Sequence, residues 1–157
     1  MVERAALIQK LNQWGDLKTR LGIGALVLFN LITSAFLFFG LRFTNMNQLF
    51  TAFLYGLVFA FANGFLEELW LRAIFLRLLV PLLGVNGSIL LTSIIFASIH
   101  AGATYFMPIS IPFMLVNTLT LGLACGCLII KTNSIWGAVM IHAAADFFLF
   151  VALLAPV

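Results

Sequence analysis

The chain has 157 residues, 64% of them hydrophobic and only 8% charged, with a mean hydropathy of +1.18, and a soluble domain of this size cannot bury that much apolar surface. The net charge of +3 and the pI of about 9.2 do not mark a nucleic-acid binder. Arg4, Lys10, Lys18 and Arg20 all precede the first long apolar run, a placement that orients a chain in a membrane.

A crossing takes roughly 20 residues, so the expected fold is all-α, a polytopic transmembrane bundle of about five spans with a long or broken second element. Residues 1–20 read as a cytoplasmic or interfacial lead-in, because Ala6, Leu7, Leu11, Trp14, Leu17 and Leu21 recur at the spacing of a helix lying on lipid headgroups. Residues 21–157 read as a single transmembrane domain. The first span covers residues 21–41 and closes at Arg42 and a polar turn. The next apolar stretch, residues 49–83, carries Glu67, Glu68, Arg72 and Arg77 and is too long for one upright crossing. It must tilt or break, and Asn63-Gly64 is the expected break because a glycine inside a helix lowers its propensity. Pro81 and Gly84 then end it.

Further spans are expected over residues 88–102, 109–130 and 134–155, with Lys131-Thr132-Asn133 as a tight turn and Ser134 as an N-cap. With the N-terminus in the cytoplasm, five crossings put Arg77 and Lys131 on the inner side and the C-terminus on the opposite side. Gly122 and Gly126 form a small-residue pair that allows close helix approach, and Asn117 suits an interhelical hydrogen bond. Cys125 and Cys127 stand two apart and point in different directions on a helix, which indicates neither a disulfide nor a CxxC redox site.

Ionisable residues inside apolar runs carry the functional signal, because each is costly at bilayer depth unless it is paired or faces a polar cavity. Three of the five acidic residues, Glu67, Glu68 and Asp146, lie there, as do both histidines, His100 and His142. Counted from the inner helix ends at about 1.5 Å per residue, Glu67, His100 and His142 can meet in the inner half of the membrane. Glu68 and Arg72 are four apart and share a face, so they read as a structural ion pair, while Glu67 is turned about 100° away and is left for chemistry. His142 and Asp146 are likewise one turn apart, and Phe96 stands one turn before His100, where it could wall the ring. Either histidine alone could serve as an interhelical hydrogen-bond donor, and Arg77 reads as a snorkelling interface residue.

This arrangement resembles the CPBP intramembrane proteases, which include the CAAX-processing type II prenyl endopeptidases and bacterial relatives linked to bacteriocin maturation and self-immunity. Three motifs carry the resemblance in order. EExxxR appears as Glu67-Glu68-Leu69-Trp70-Leu71-Arg72, FxxxH as Phe96-Ala97-Ser98-Ile99-His100, and HxxxN/D as His142-Ala143-Ala144-Ala145-Asp146. The resemblance implies that Glu67 and His100 activate a water, while His142 and Asp146 stabilise the tetrahedral oxyanion. Position 146 is Asp here, where the prenyl proteases carry Asn.

The leading expectation is an endopeptidase that hydrolyses a peptide bond of a membrane-associated peptide or lipidated protein, with no covalent intermediate because no activated Ser or Cys is evident. The alternatives are a non-enzymatic accessory subunit of a larger membrane complex and an immunity-type binding protein. Membrane lipids are expected partners, and nucleic acid is not. Glu67, His100 and His142 could hold a divalent metal such as zinc or activate water unaided. The second is favoured, since a metal would occupy the glutamate that must act as base. For Asp146 the favoured role is an ionised acceptor that orients a histidine ring; the other is a protonated oxyanion donor.

Overall fold

The computed structural model describes residues 17–39, 46–103 and 111–154, and all the elements among them are helical. In chain order these are α1 (Leu17–Phe39), α2 (Met46–Glu68), a π-helical segment (Leu69–Leu76), α3 (Arg77–Ala103), α4 (Ile111–Thr132) and α5 (Trp136–Leu154). By length and apolarity, Leu17–Ala35, the continuous stretch Met46–Gly102 and Ile111–Thr132 qualify as membrane-crossing, and Trp136–Val151 is a shorter apolar helix. The expected helical membrane bundle is therefore the observed fold. Most of the expected lead-in, residues 1–16, lies outside the described residues.

The long second element does not break at Asn63-Gly64. Both residues lie inside α2, which runs unbroken to Glu68. The irregularity comes one turn later, in the π-helical segment directly after the two glutamates, and π turns recur at functional positions because they re-aim the side chains that follow. Here Trp70 and Phe75, five residues apart, stack with ring centroids 6.2 Å apart. Gly64 instead governs packing. A Cβ there would lie 3.0 Å from the backbone nitrogen of Ala143, so its missing side chain sets how closely α2 meets α5. The chain turns at Gly84, whose φ of 68° lies in the region that glycine adopts without steric cost.

The buried face of α2 is Ala52, Gly56, Ala60, Gly64 and Glu68, spaced four apart. Four small residues let the backbone sit close to α5, and the fifth member of the same row is a carboxylate. Opposite, α3 packs on α4. A Cβ on Gly122 would lie 2.8 Å from Arg72 Nη2 and 3.0 Å from Ser93 Cβ, and one on Gly126 would lie 3.0 Å from Ile89 Cγ2. The expected close approach of α4 is thus to α3 and the π-helical segment. α1 rests on α4 and α5, with the Thr33 hydroxyl 2.6 Å from Asn117 Oδ1, the interhelical bond expected of Asn117. Phe96, Leu121, Cys125, Ile129, Ala138 and Ala145 form the apolar core. Phe50, Leu54, Leu57, Val58 and Phe61 of α2 are exposed, as side chains bathed in lipid tails are.

Between α4 and α5, Asn133 takes a φ of 50° and its N–H returns to the carbonyl of Ile129, which makes the expected tight turn. Ser134 Oγ accepts the N–H of Trp136 at 3.4 Å, the capping role foreseen for it. Arg77 donates to Asn133 Oδ1 at 3.0 Å, so Arg77 and the Lys131 turn lie at one end of the bundle.

Candidate active site

The end of α2, the C-terminal half of α3 and the middle of α5 bring the predicted residues together. Glu67 Oε2 lies 3.7 Å from His100 Nε2 and 3.5 Å from His142 Nε2, and Asp146 Oδ2 lies 3.6 Å from the same His142 nitrogen. These four groups were expected to share a site, and they surround one point. Glu67 Oε2 and His142 Nε2 are buried without a hydrogen-bond partner among the described residues, so two polar atoms with unmet hydrogen-bonding capacity face that point.

Each ring is held by its other nitrogen. His100 Nδ1 lies 2.9 Å from the carbonyl oxygen of Phe96, which can only accept, so Nδ1 carries the hydrogen and the neutral ring turns a lone pair at Nε2 toward Glu67. His142 Nδ1 lies 2.9 Å from Glu68 Oε1. The same carboxylate oxygen receives Arg72 Nη1 at 3.0 Å, and both Glu68 and Arg72 are fully buried. The expected Glu68–Arg72 pair is therefore present, but it does more than neutralise charge: it also grips His142.

Phe96 ties the cluster together. Its ring centroid lies 4.3 Å from that of His100 and 5.2 Å from that of His142 in an edge-on contact, and Arg72 Cζ stands 4.5 Å over it. The walling role expected toward His100 thus extends to both histidines and to the guanidinium, which gains from the ring's negative face. Beside it a pocket of about 240 Å³ is lined by Leu66, Trp70, Leu71, Phe96 and Ile99, with Glu67 and His100 as its ionisable members. A long apolar group can lie there against the carboxylate.

Two contacts escaped the sequence reading. Asn63 donates to Asp146 Oδ2 at 2.8 Å, so a residue of the expected helix break holds a site carboxylate. The Glu68–His142 bond was missed as well, although a signal for it exists: the row of small residues at 52, 56, 60 and 64 ends on Glu68 and aims it at whatever helix that row packs against. As for the metal candidates Glu67, His100 and His142, no three His, Cys, Asp or Glu side chains among the described residues stand in a ligating arrangement.

Fold and cluster together define a helical membrane protein with an ionisable site inside its bundle. Residues 52–148, more than half of the chain, match the family described as type II CAAX prenyl endopeptidase Rce1-like, and the chain belongs to that family. The match spans every residue of the cluster and leaves α1 outside. No curated protein and no solved structure matches the chain.

Proposed function

We infer that the protein is an intramembrane endopeptidase that cleaves a membrane-associated, apolar or prenylated peptide with a water activated by Glu67 and His100. The observation that carries this reading is the approach of Glu67 Oε2 to within 3.7 Å of His100 Nε2 and 3.5 Å of His142 Nε2. At this length the direct contacts are weak and both atoms can turn to one water or substrate carbonyl beside them, and catalytic hydrogen bonds commonly tighten only when substrate binds. The N-terminus and the Lys131 turn face the cytoplasm in this reading.

Glu67 takes a proton from the water as its oxygen adds to the scissile carbonyl carbon. The His100 lone pair shares that proton and returns it, through Glu67, to the leaving amine nitrogen as the C–N bond breaks. In its cationic form His142 carries N–H on both nitrogens, so it can donate through Nδ1 to Glu68 and through Nε2 to the oxyanion. Asp146, held by Asn63 and 3.6 Å from the same Nε2, acts on that ring through its charge, which favours the cationic form, while Glu68 holds the ring at Nδ1. The apolar pocket beside Glu67 takes the prenyl chain or an apolar side chain of the substrate.

The test is a fluorogenic peptide, with and without a prenylated cysteine, supplied to the purified protein in detergent. Cleavage is expected with a preference for the prenylated form. Glu67→Gln and His100→Gln lower the rate roughly 10²–10⁴-fold, the size of a general-base contribution, with the unfolding midpoint unchanged. Full activity in Glu67→Gln means the assignment is wrong. An inactive wild type that co-purifies stoichiometrically with a partner points to the accessory-subunit reading instead.

A further inference from the structure

Phe96 and His100 line two cavities. One is the apolar pocket beside Glu67. The other, of about 20 Å³, has Ser34, Asn117, Thr118, His100 and Asp146 as its polar lining. That is room for about one water molecule, and a buried water needs only 2–4 polar partners. The interhelical bonds of α1 to α4, from Thr33 to Asn117 Oδ1 and from Asn30 Nδ2 to Thr120 Oγ1, explain why the seam between these helices is polar. They do not explain why Ser34, Thr118 and Asp146 gather around a space. The Thr118 hydroxyl donates to the Met114 carbonyl within its own helix, which leaves its oxygen lone pairs as acceptors.

We propose that this cavity is a single-water site that supplies the hydrolytic centre, with Ser34, Asn117 and Thr118 as positioning residues that hold the water beside His100 and Asp146. The proposal rests on the peptidase reading. Each cleavage consumes one water: its oxygen joins the carbonyl carbon, one proton passes by way of Glu67 to the leaving amine nitrogen, and the C–N bond breaks. The bundle must then replace that water from an apolar surrounding. The cavity stands one imidazole away from Glu67, since His100 lines it and places Nε2 3.7 Å from Glu67 Oε2. This gives α1, which lies outside the family match, a part in the chemistry through Ser34.

The experiment is pulsed radiolysis of the full chain in detergent, in which hydroxyl radicals formed from nearby water oxidise methionine and mass spectrometry reads the rate at each site. Met114 lines the cavity, and Met140, 60% exposed on the apolar face of α5, is the reference within the same molecule. Met114 is expected to oxidise several-fold faster than Met140. Thr118→Val, which keeps the side-chain shape, should bring Met114 down to the Met140 rate, and Thr118→Ser should restore it. On the prenylated peptide, Thr118→Val should lower kcat roughly five- to tenfold, the worth of one hydrogen bond, with KM unchanged. Ser34→Ala, on a different helix, serves if Thr118→Val fails to fold. Met114 labelling no faster than Met140 overturns the water site, and labelling that falls while kcat holds overturns the supply role. If the wild type cleaves no peptide, the peptidase reading and the supply role fail together, and the labelling comparison still decides whether the cavity holds water.

Discussion

Glu68 Oε1 lies 2.9 Å from His142 Nδ1 across the contact between α2 and α5, and neither side chain is exposed. An ionised carboxylate only accepts, so this bond puts the hydrogen on Nδ1 and aims Nε2 at Glu67 and Asp146. Loss of such a supporting partner typically costs a site 10–100-fold. Glu68→Gln is therefore expected to lower kcat by roughly 10–100-fold with little change in KM. Nitrogen NMR of the His142 ring should show the Nδ1–H signature weakened in the variant. An unchanged ring spectrum together with an unchanged kcat means Glu68 only balances Arg72.

Arg72 is the stabilising half of that arrangement. Its guanidinium contacts Glu68 and the Phe96 ring and lies against the bare backbone of Gly122. Arg72→Ala leaves a buried carboxylate without its counter-ion and should destabilise the fold by about 3–5 kcal/mol. The double variant Arg72→Ala with Glu68→Ala should recover part of that loss, because the uncompensated charge goes with it. Denaturant titration in detergent micelles measures both. Equal loss in the single and double variants would show that packing, not charge, dominates.

Asp146 accepts the amide of Asn63 on Oδ2 at 2.8 Å while the same oxygen stands 3.6 Å from His142 Nε2. An oxygen that already accepts a hydrogen bond suits an ionised acceptor better than an oxyanion donor. Asp146→Asn should therefore lower the rate roughly 10–100-fold. If Asp146 instead donates to the oxyanion, the permanent amide donor keeps or raises activity, most of all at high pH. The pH–rate profiles of wild type and variant on one peptide decide between the two, and an Asn variant matching wild type throughout would sink the charge role.

Gly64 faces Ala143, the neighbour of His142 in sequence, and a Cβ there would lie 3.5 Å from His142 Cβ. Gly64→Leu must push α5 away, at an overpacking cost of about 1–3 kcal/mol. It should lower the thermal midpoint and reduce kcat together, because the His142 ring moves with its helix. A variant as stable and active as wild type would mean that α2 and α5 can repack without shifting the site.

Much of this protein was written in local sequence. Length and apolarity fixed a helical membrane bundle, since lipid admits only helices and closed β-barrels and continuous apolar runs of roughly 20 residues suit a helix, not the short alternating strands of a barrel. The cost of burying charge made Glu67, Glu68, His100, His142 and Asp146 conspicuous against their apolar surroundings. Spacing settled what lies within one helix: the Glu68–Arg72 pair, Phe96 against His100, and Asp146 one turn from His142. The last two are consequences of about 3.6 residues per turn and need no knowledge of the neighbours, while the first holds although the chain passes from α2 into the π-helical segment between Glu68 and Arg72.

What lies between helices was decided only by the tertiary structure. Glu68 meets His142 because the small-residue face of α2 lets the two backbones approach, and Asn63 meets Asp146 across the same contact. The expected break at Asn63-Gly64 failed for that reason, since glycine propensity is a local quantity and the close approach that requires Gly64 is not. The π-helical segment, whose buried residues are Arg72 and Leu76, was also invisible, because no local spacing or propensity marks a wider turn in an apolar run. Whether a side chain separated by 74 or 83 residues arrives within hydrogen-bond distance depends on helix rotation and crossing, which packing sets and sequence spacing does not encode.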